Sequence, residues 1–271
     1  MKTDALPLTA RSAVVLAAAA VVTVLVFAWP LLVGATSVLT DGTTTPLLLA
    51  GTLVAVLLVL GVALVDGGLD VRAVAVLALL SALGAVLRPL SAGAAGVELV
   101  FLTILLGGRA LGAGFGFALG ATTLLTSALV TGGVGPWLPF QMIAAAWLGL
   151  GAGLLPRSVR GRAEIALLAG YGAMGALLFG TAMNLAFWPM QLGPDTQLSF
   201  IAGAPLVENV GRFAGYSLAT SLGWDLGRAV TTVVGLSLLG RPVLHALRRV
   251  TTRITFRSAE PLGAVPAAPS A

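Results

Sequence analysis

The chain has 271 residues, of which 58% are hydrophobic and only 9% are charged. A soluble globular domain contains about 45–50% apolar and about 25% charged residues, so this chain has too few charges to cover a surface that faces water. This composition excludes soluble enzymes, disordered scaffolds and fibrous proteins. The sequence contains no Cys and a single His, His245. We therefore predict an integral membrane protein without disulfides, a metal site or any other cofactor.

Gly, Pro and charged residues divide the chain into eight apolar runs that are candidate transmembrane helices. A bilayer core about 30 Å thick needs about 20 apolar residues per helix. The fourth run is short, and the eighth is long enough to begin as a separate segment before it crosses the bilayer. The first run is longer than the apolar part of a signal peptide, so we expect it to remain as a helix. The runs lie at about 11–33, 46–65, 72–88, 96–107, 109–131, 137–155, 163–188 and 206–240.

Basic residues predict the orientation of these helices. If the N-terminus is cytoplasmic, twelve of the fifteen Lys and Arg residues lie on the cytoplasmic side, and only Arg88, Arg212 and Arg228 do not. With eight spans, both termini are then cytoplasmic in a protein of the cell membrane. The net charge of +5 is explained by this orientation, and we predict no nucleic-acid partner.

Polar and aromatic side chains collect at the outer ends of six predicted helices. A charge at the centre of a span costs about 2.5–3.5 kcal/mol on insertion scales, so ionisable residues within a membrane indicate function. These side chains form either an outward-facing pocket for a small polar or amphipathic ligand, or a set of interface anchors and surface pairs. Arg88, Thr122, Thr123 and Ser127 lie at the same outer depth but are not in the ligand set. The candidate ligand contacts are Glu98, Trp137, Phe140, Gln141, Asn184, Trp188, Glu208, Asn209 and Arg212.

Asp225 and Arg228 lie one turn apart in the last predicted helix. An ion pair at this spacing neutralises both charges, so we predict a structural ion pair. Two alternatives are a coupling switch and a proton relay through Asp225, which would make the protein a stand-alone proton-coupled transporter of a small solute. An intramembrane enzyme ranks last, since no acid pair, metal-ligand set or nucleophile and base converge at one depth.

Small residues recur at the spacing that lets membrane helices pack closely. The segment Gly112–Gly120 contains a double G-x-x-x-G pattern. In the third predicted helix, Ala75, Ala78 and Ala82 lie on one side, which we call the alanine face. Packing inside the bundle explains both patterns, although the alanine face could instead dock a helix of a partner.

Four segments together carry a family resemblance. They are the alanine-rich stretch Ala75–Ala82, the glycine pattern Gly112–Gly120, the run GPWLPFQM at Gly135–Met142 and the run SLGWDLGRA at Ser221–Ala229, which a basic tail follows. The last two runs are the more specific. With these segments, the chain from about 72 to 257 resembles the substrate-binding S component of energy-coupling factor (ECF) vitamin transporters, particularly those of actinobacteria.

The resemblance implies a core of six helices, here the third to the eighth span, preceded by two extra N-terminal helices. We therefore expect an all-α polytopic membrane protein with an N-terminal helix pair at 1–70, a substrate-binding core at 71–241 and a basic cytoplasmic tail at 242–271. The arginines of the tail suit a helix that lies on anionic lipid headgroups. Its Pro/Ala-rich end, Pro261–Ala271, is predicted to be disordered.

The resemblance also implies partners and an activity. The alanine face would dock on a transmembrane coupling protein, the T component, which carries two cytoplasmic ATPases. A separate ATPase agrees with the sequence, which contains no G-x-x-x-x-G-K-[ST] motif. The expected activity is not enzymatic: the chain would capture a vitamin or related micronutrient from outside and deliver it through these partners.

Overall fold

Ten helices and no strand make up the part of the chain that this computed structural model describes. The described residues are 4–6, 8–37, 39, 44–65, 70–91, 96–193 and 196–257. Six helices are long and apolar enough to cross a membrane, and α5 and α7 are shorter apolar helices. The prediction of an all-α polytopic membrane protein is confirmed. The helices are α1 (Ala10–Phe27), α2 (Trp29–Leu32), α3 (Thr45–Val65), α4 (Val71–Ser91), α5 (Val100–Leu111), α6 (Ala113–Thr131), α7 (Leu138–Leu154), α8 (Arg162–Gln191), α9 (Leu206–Thr220) and α10 (Leu222–Arg257).

Two of the predicted spans are divided in the structure. The first ends at Phe27, and the short helix α2 follows with Pro30 in its first turn. Proline cannot donate the hydrogen bond that would continue α1, so the helix breaks there. The eighth divides at Ser221 into α9 and α10. α10 continues to Arg257 and so includes the first part of the predicted basic tail, 242–271. The predicted disordered end, Pro261–Ala271, lies outside the described residues.

The two short helices, α5 and α7, form the centre of the bundle. Phe101, Ile104 and Leu105 of α5 are fully buried, as are Ala145 and Ala146 of α7. A helix with the 12 residues of α5 is about 18 Å long, less than the thickness of a bilayer core. Because the other helices surround it, its length does not have to match that thickness.

Glycines bring the backbones of α6 and α7 into contact. A methyl group on Gly116 would lie 2.1 Å from the carbonyl oxygen of Gly149, and one on Gly149 would lie 2.1 Å from the carbonyl oxygen of Gly116. A methyl group on Gly120 would lie 2.2 Å from the carbonyl oxygen of Ala145. Gly112 is the single residue between α5 and α6, and its φ of +106° is one that only glycine adopts readily.

The N-terminal helices pack on one side of this core. α1 and α3 contact each other, and they also contact α6, α7 and α8. In α2, the Nε1 of the buried Trp29 donates a hydrogen bond of 2.8 Å to the carbonyl oxygen of Ala186 in α8. Phe27 packs edge-on against Phe140 of α7, with ring centres 5.3 Å apart. The N-terminal pair is therefore attached to the faces of α7 and α8.

The two ends of the bundle carry charged side chains, and we name them the Arg88 end and the Arg109 end. At the Arg109 end, the Glu164 carboxylate is 3% exposed and accepts hydrogen bonds from Arg109 Nε at 2.6 Å and Arg248 Nη2 at 2.5 Å. Arg109 also donates to three backbone carbonyls between residues 155 and 159. These contacts join α5, α8, α10 and the turn between α7 and α8.

The N-terminal segment also lies at the Arg109 end. The backbone N–H of Ala5 donates to the carbonyl oxygen of Leu111 at 3.0 Å, and Asp4 forms an ion pair with Arg157. Leu6 is 4% exposed and packs with buried residues of α4, α5 and α6. The start of the described chain and the basic turn after α7 are therefore neighbours.

Candidate functional site

Eight buried or half-buried polar and charged side chains lie toward the Arg88 end of the bundle, and we call them the polar layer. They come from the ends of α4, α6, α7 and α8, from the start of α10 and from the residue pair before α5. The members are Arg88, Glu98, Thr123, Ser127, Gln141, Asn184, Asp225 and Arg228.

Arg228 is the most heavily compensated charge of the polar layer. Its Nε donates to Glu98 at 2.6 Å and its Nη1 donates to Asp225 at 2.8 Å. The guanidinium carbon also lies 5.3 Å from the ring centre of Phe179 and 5.9 Å from that of Phe101, within the range of cation–π attraction. Two carboxylates and two aromatic rings thus hold one guanidinium between α5, α8 and α10.

A glycine of α8 makes room for this ion pair. A methyl group on Gly180 would lie 1.8 Å from Oδ1 of Asp225, so any other residue at this position would collide with the carboxylate. The Asp225 side chain is only 10% exposed. The pairing of Asp225 with Arg228 therefore depends on α8 as well as on the spacing within α10.

Arg88 is the second guanidinium of the polar layer. Its Nη2 donates a hydrogen bond of 2.9 Å to Oε1 of Gln141, which joins α4 to α7. It also interacts electrostatically with Glu98 and Arg228. The four charged side chains of the layer therefore act on one another as a single cluster.

The register between α4 and α6 places Ser127 at about the level of Arg88 along the bundle. A methyl group on Gly84 would lie 2.5 Å from the Cγ2 atom of Thr123, so these two residues face each other. α4 and α6 run in the same direction, since one antiparallel helix, α5, separates them in the chain. One further turn on both helices therefore brings Arg88 and Ser127 to the same level.

Three buried atoms of the polar layer have no hydrogen-bond partner among the described residues. They are Oγ1 of Thr123, Oγ of Ser127 and Nδ2 of Asn184. Thr123 and Ser127 have no exposed surface. A buried polar group without a partner costs about 1–3 kcal/mol, and most such groups in folded proteins do have one. The polar layer is thus the place where a ligand could supply the missing hydrogen bonds.

An aromatic cluster, which we call the aromatic cap, lies where α8 ends and α9 begins. Trp188 is fully buried and its Nε1 donates to the carbonyl oxygen of Leu198 at 2.7 Å. Its ring centre lies 5.5 Å from those of Phe200 and Phe213 and 6.4 Å from that of Tyr216. Burial raises the pKa of the Tyr216 phenol. The cap packs the segment before α9 onto the end of α8.

Polar residues of α9 hold the same segment. The amide of Asn209 donates to the carbonyl oxygen of Ile201 at 2.8 Å and accepts from its N–H at 3.2 Å. Arg212 donates to Glu208 at 2.9 Å and to the carbonyl oxygen of Gln197 at 3.1 Å. These contacts fix residues 196–201 against α9.

The structure separates the nine predicted ligand contacts into three groups. Three of them, Trp188, Asn209 and Arg212, bind the segment before α9, and Glu208 is paired with Arg212. Trp137 is 45% exposed at the start of α7 and donates to a backbone carbonyl of the preceding turn, whereas Phe140 is 1% exposed and packs between aromatic rings of α1 and α8. The remaining three are brought together in the polar layer: Glu98, Gln141 and Asn184.

Sequence reasoning leaves five members of the polar layer out of the ligand set. Two of them, Asp225 and Arg228, are predicted as a structural ion pair, and the other three are given no ligand role. An arginine at the end of a span, such as Arg88, is typical of interface anchoring. Hydroxyls within a helix, such as those of Thr123 and Ser127, often bond to their own backbone. Gly84 and Arg88 are four residues apart, and so are Thr123 and Ser127, so each pair lies on one side of its helix. This equal spacing indicates that Arg88 and Ser127 lie at one level only when α4 and α6 are known to be neighbours.

The alanine face lies on the opposite side of α4 from Gly84 and Arg88. Ala75, Ala78 and Ala82 are exposed. The apolar side chains between them, Leu79 and Leu83, are 68% and 48% exposed. The N-terminal helices, which pack against α6, α7 and α8, leave this face exposed.

The sequence matches the family of ECF transporter substrate-specific components over residues 72–239. The match covers more than half of the chain, so the protein belongs to this family, and the resemblance found in the sequence is confirmed. The matched region contains the whole polar layer and the alanine face, whereas α1, α2 and α3 precede it. Comparisons with curated proteins and with solved structures gave no match.

Family membership defines the protein in general terms. It is a multi-pass membrane protein and the substrate-binding component of an ECF transporter. Such a component takes a small-molecule substrate and works with a T component and ATPases. In the described part of the chain, no three His, Cys, Asp or Glu side chains are grouped so that they could hold a metal ion.

Proposed function

We propose that this chain binds a vitamin or related micronutrient in the polar layer and delivers it to a T component that two cytoplasmic ATPases energise. The observation that carries this proposal is the set of three unpartnered polar atoms, from Thr123, Ser127 and Asn184, in the polar layer that also contains Arg88 and Arg228. Ligand pockets combine apolar walls with a few placed polar groups, and polar groups inside a membrane are retained for function. The polar layer has both properties.

The other predicted contacts lie around the polar layer at the Arg88 end of the bundle. The aromatic cap and Arg212 hold residues 196–201 beside the Arg88 end, and Trp137 lies exposed at the start of α7. We propose that this border is the ligand entrance. In the predicted orientation the Arg88 end faces the outside, because the basic turns and the N-terminal segment lie at the Arg109 end.

We propose that the alanine face docks on the T component. It is exposed along α4, and its small side chains would let a partner helix approach closely. The same helix carries Arg88 into the polar layer. The ligand site and the docking surface are thus opposite faces of one helix.

The test is to identify small molecules bound to the protein expressed alone. The chain is purified in detergent from cells grown on rich medium and denatured, and the released compounds are measured by mass spectrometry. We expect a stoichiometric vitamin or related micronutrient from the wild type and less of it from Gln141→Ala and Asn184→Ala. Ser158→Ala is the matched control, since this exposed side chain lies at the Arg109 end, away from the polar layer and its border.

An empty protein, or equal retention by all variants, would contradict the proposed site. Uptake into vesicles that lack any ATPase, driven by a pH gradient alone, would instead favour the proton-coupled carrier built on Asp225 and Arg228.

A further inference from the structure

We infer that a groove between α1 and α8 is a binding site for one acyl chain of a membrane lipid. This groove, which we call the lateral groove, has a volume of about 460 Å³. It is lined by residues between 23 and 28 of α1, between 144 and 148 of α7 and between 171 and 185 of α8. None of these residues belongs to the polar layer except Asn184, which does not line the groove, so the inference concerns a second site.

The wall of the lateral groove is apolar, and its polar side chains already have partners. The Thr23 hydroxyl donates to a backbone carbonyl of α1 at 2.7 Å and accepts from Trp147 Nε1 at 3.3 Å. The hydroxyls of Tyr171 and Thr181 donate to backbone carbonyls of α7 and α8, both at 2.9 Å. The other lining residues are apolar. A polar ligand would lose its hydrogen bonds to water here without regaining them, so the wall favours an apolar occupant.

The lateral groove opens on the surface that faces lipid. Three of its lining side chains are largely exposed: Val24 is 65% exposed, Met174 57% and Leu178 60%. α1 and α8 are both apolar enough and long enough to cross a membrane, and Met174 and Leu178 lie near the middle of α8. At that depth the surrounding solvent is hydrocarbon. The groove is therefore continuous with the interface that the protein forms with acyl chains.

The shape of the lateral groove fits a single linear chain. Its lining on α8 extends from Tyr171 to Leu185, which is about 21 Å at about 1.5 Å per residue. A helix with side chains is about 10–12 Å across, so a 21 Å length of helix would need several times the volume of this cavity. A helix of a partner or of a second copy is thus too wide. An acyl chain lies along the same direction as α8 and supplies the dispersion contacts that an empty apolar cavity lacks.

The N-terminal helices create the lateral groove. α1 precedes the region that matches the family, and it contributes one of the walls. The hydrogen bond from Trp29 Nε1 to the carbonyl oxygen of Ala186 attaches the chain after α1 to α8, directly beyond Leu185 at the end of the groove. The site is therefore a property of the added helix pair together with the core, and not of the core alone.

The experiment uses phosphatidylcholine that carries a photoreactive diazirine near the middle of one acyl chain. The full chain is reconstituted into phosphatidylcholine vesicles that contain a small fraction of this lipid. After irradiation and digestion, crosslinked peptides are measured by mass spectrometry. Residues 230–238 of α10 are the internal reference, because Val230, Val234 and Leu238 are 60%, 50% and 71% exposed and do not line the groove. We expect crosslinks to 23–28 and 171–185 to be several-fold more frequent, since a bound chain stays beside these residues.

Two variants fill the lateral groove from opposite walls. Ala182→Phe places a ring in it from α8, and Ala28→Phe does so from the end of α1. We expect either change to reduce crosslinks to 23–28 and 171–185 to the level of 230–238. The ratio is the readout because a misfolded variant would change the crosslinks of α10 as well. Ala18→Phe, at an exposed position of α1 outside the groove, is the matched control and should leave the ratio unchanged.

Each other outcome overturns the inference. Equal crosslinking of the groove and of 230–238 in the wild type would mean that only freely exchanging lipid passes the groove. Fewer crosslinks in the groove than in 230–238 would mean that another protein segment covers it. An excess that persists in both Ala182→Phe and Ala28→Phe would place the bound chain elsewhere. None of these results affects the proposed function, which is tested by the small molecules released on denaturation.

Discussion

Buried charges in this protein occur in groups that compensate one another. Glu164 lies between Arg109 and Arg248, and Arg228 lies between Glu98 and Asp225. Transfer of a single charge from water into a low-dielectric interior costs several kcal/mol, whereas a paired and hydrogen-bonded group offsets much of that cost. Each group joins helices that are far apart in sequence, so the charges also fix the arrangement of the bundle.

Replacement of the buried carboxylate at the Arg109 end should destabilise the protein. Glu164→Gln leaves two arginines facing a neutral amide, and loss of one partner from a buried ion pair costs about 3–5 kcal/mol. We expect a clearly lower unfolding temperature in detergent, where unfolding is measured by the change in tryptophan fluorescence. Glu208→Gln is the control, because its side chain is 45% exposed and an exposed pair contributes about 0–1 kcal/mol. Equal unfolding temperatures would show that the Glu164 group is not stabilising.

Contacts of the polar layer differ in how far they could be predicted. The spacing of Asp225 and Arg228 indicates their pairing because both lie on one helix. The bond from Arg228 to Glu98 spans 130 residues and that from Arg88 to Gln141 spans 53. Such contacts depend on which helices are neighbours, and hydrophobicity alone does not determine this. Sequence therefore indicated the depth of the site but not its hydrogen bonds.

Helix packing in this bundle depends on backbone contact more than on large side chains. α6 and α7 approach each other where Gly116 faces Gly149. In lipid, the hydrophobic effect does not drive helices together, so close van der Waals packing has to do so. The predicted role of the glycine pattern in packing agrees with these distances.

One methyl group at this contact should separate the helices. In Gly149→Ala, the new Cβ would lie 2.1 Å from the carbonyl oxygen of Gly116, and backbone cannot move aside as a flexible side chain can. We expect a lower unfolding temperature and broader elution in gel filtration. Gly170→Ala on α8 is the matched control, because a Cβ there meets nothing within 4 Å and alanine favours a helix by about 0.5–1 kcal/mol. A Gly149→Ala protein as stable as the Gly170→Ala protein would contradict the close contact.

A bulky residue on the alanine face should block docking without affecting capture. Ala78→Trp places a large ring on an exposed, smooth part of α4, on the side away from Arg88. We expect co-purification with the T component to be lost while retention of small molecules is unchanged. Ala18→Trp, on an exposed position of α1, controls for a tryptophan that faces lipid. Normal co-purification of Ala78→Trp would remove the docking proposal.

Helix positions were predictable where a long apolar run is uninterrupted, as for α3, α6 and α8. The length of the eighth run indicated that it begins as a separate segment, but the position of the division at Ser221 was not predictable, because no proline or charge cluster marks it. Its cause is tertiary: α9 is held by the aromatic cap and by the Asn209 contacts, whereas α10 pairs with α8. Local sequence thus determined which residues are helical, and packing determined where one helix ends and the next begins.

The whole bundle is predicted to have the Arg88 end outside and the Arg109 end in the cytoplasm. The absence of cysteine from the sequence makes this directly measurable, since a single introduced thiol is the only reactive one. We expect Val134→Cys, in an exposed turn at the Arg88 end, to react with a membrane-impermeant maleimide in intact cells. Ser158→Cys, exposed at the Arg109 end, should react only after permeabilisation. The reverse pattern would invert the orientation and place the polar layer on the cytoplasmic side.

The N-terminal helix pair determines how much lipid the protein displaces. The hydrogen bond from Trp29 to Ala186 and the contact of Phe27 with Phe140 fasten the pair to the core. Lipid acyl chains are as apolar as the side chains of α1 and α3 that displace them. Adding this helix pair to the core therefore costs little free energy. The added cross-section has a mechanical consequence, because any tilt or rotation of the core in the bilayer must carry α1 and α3 through the surrounding lipid.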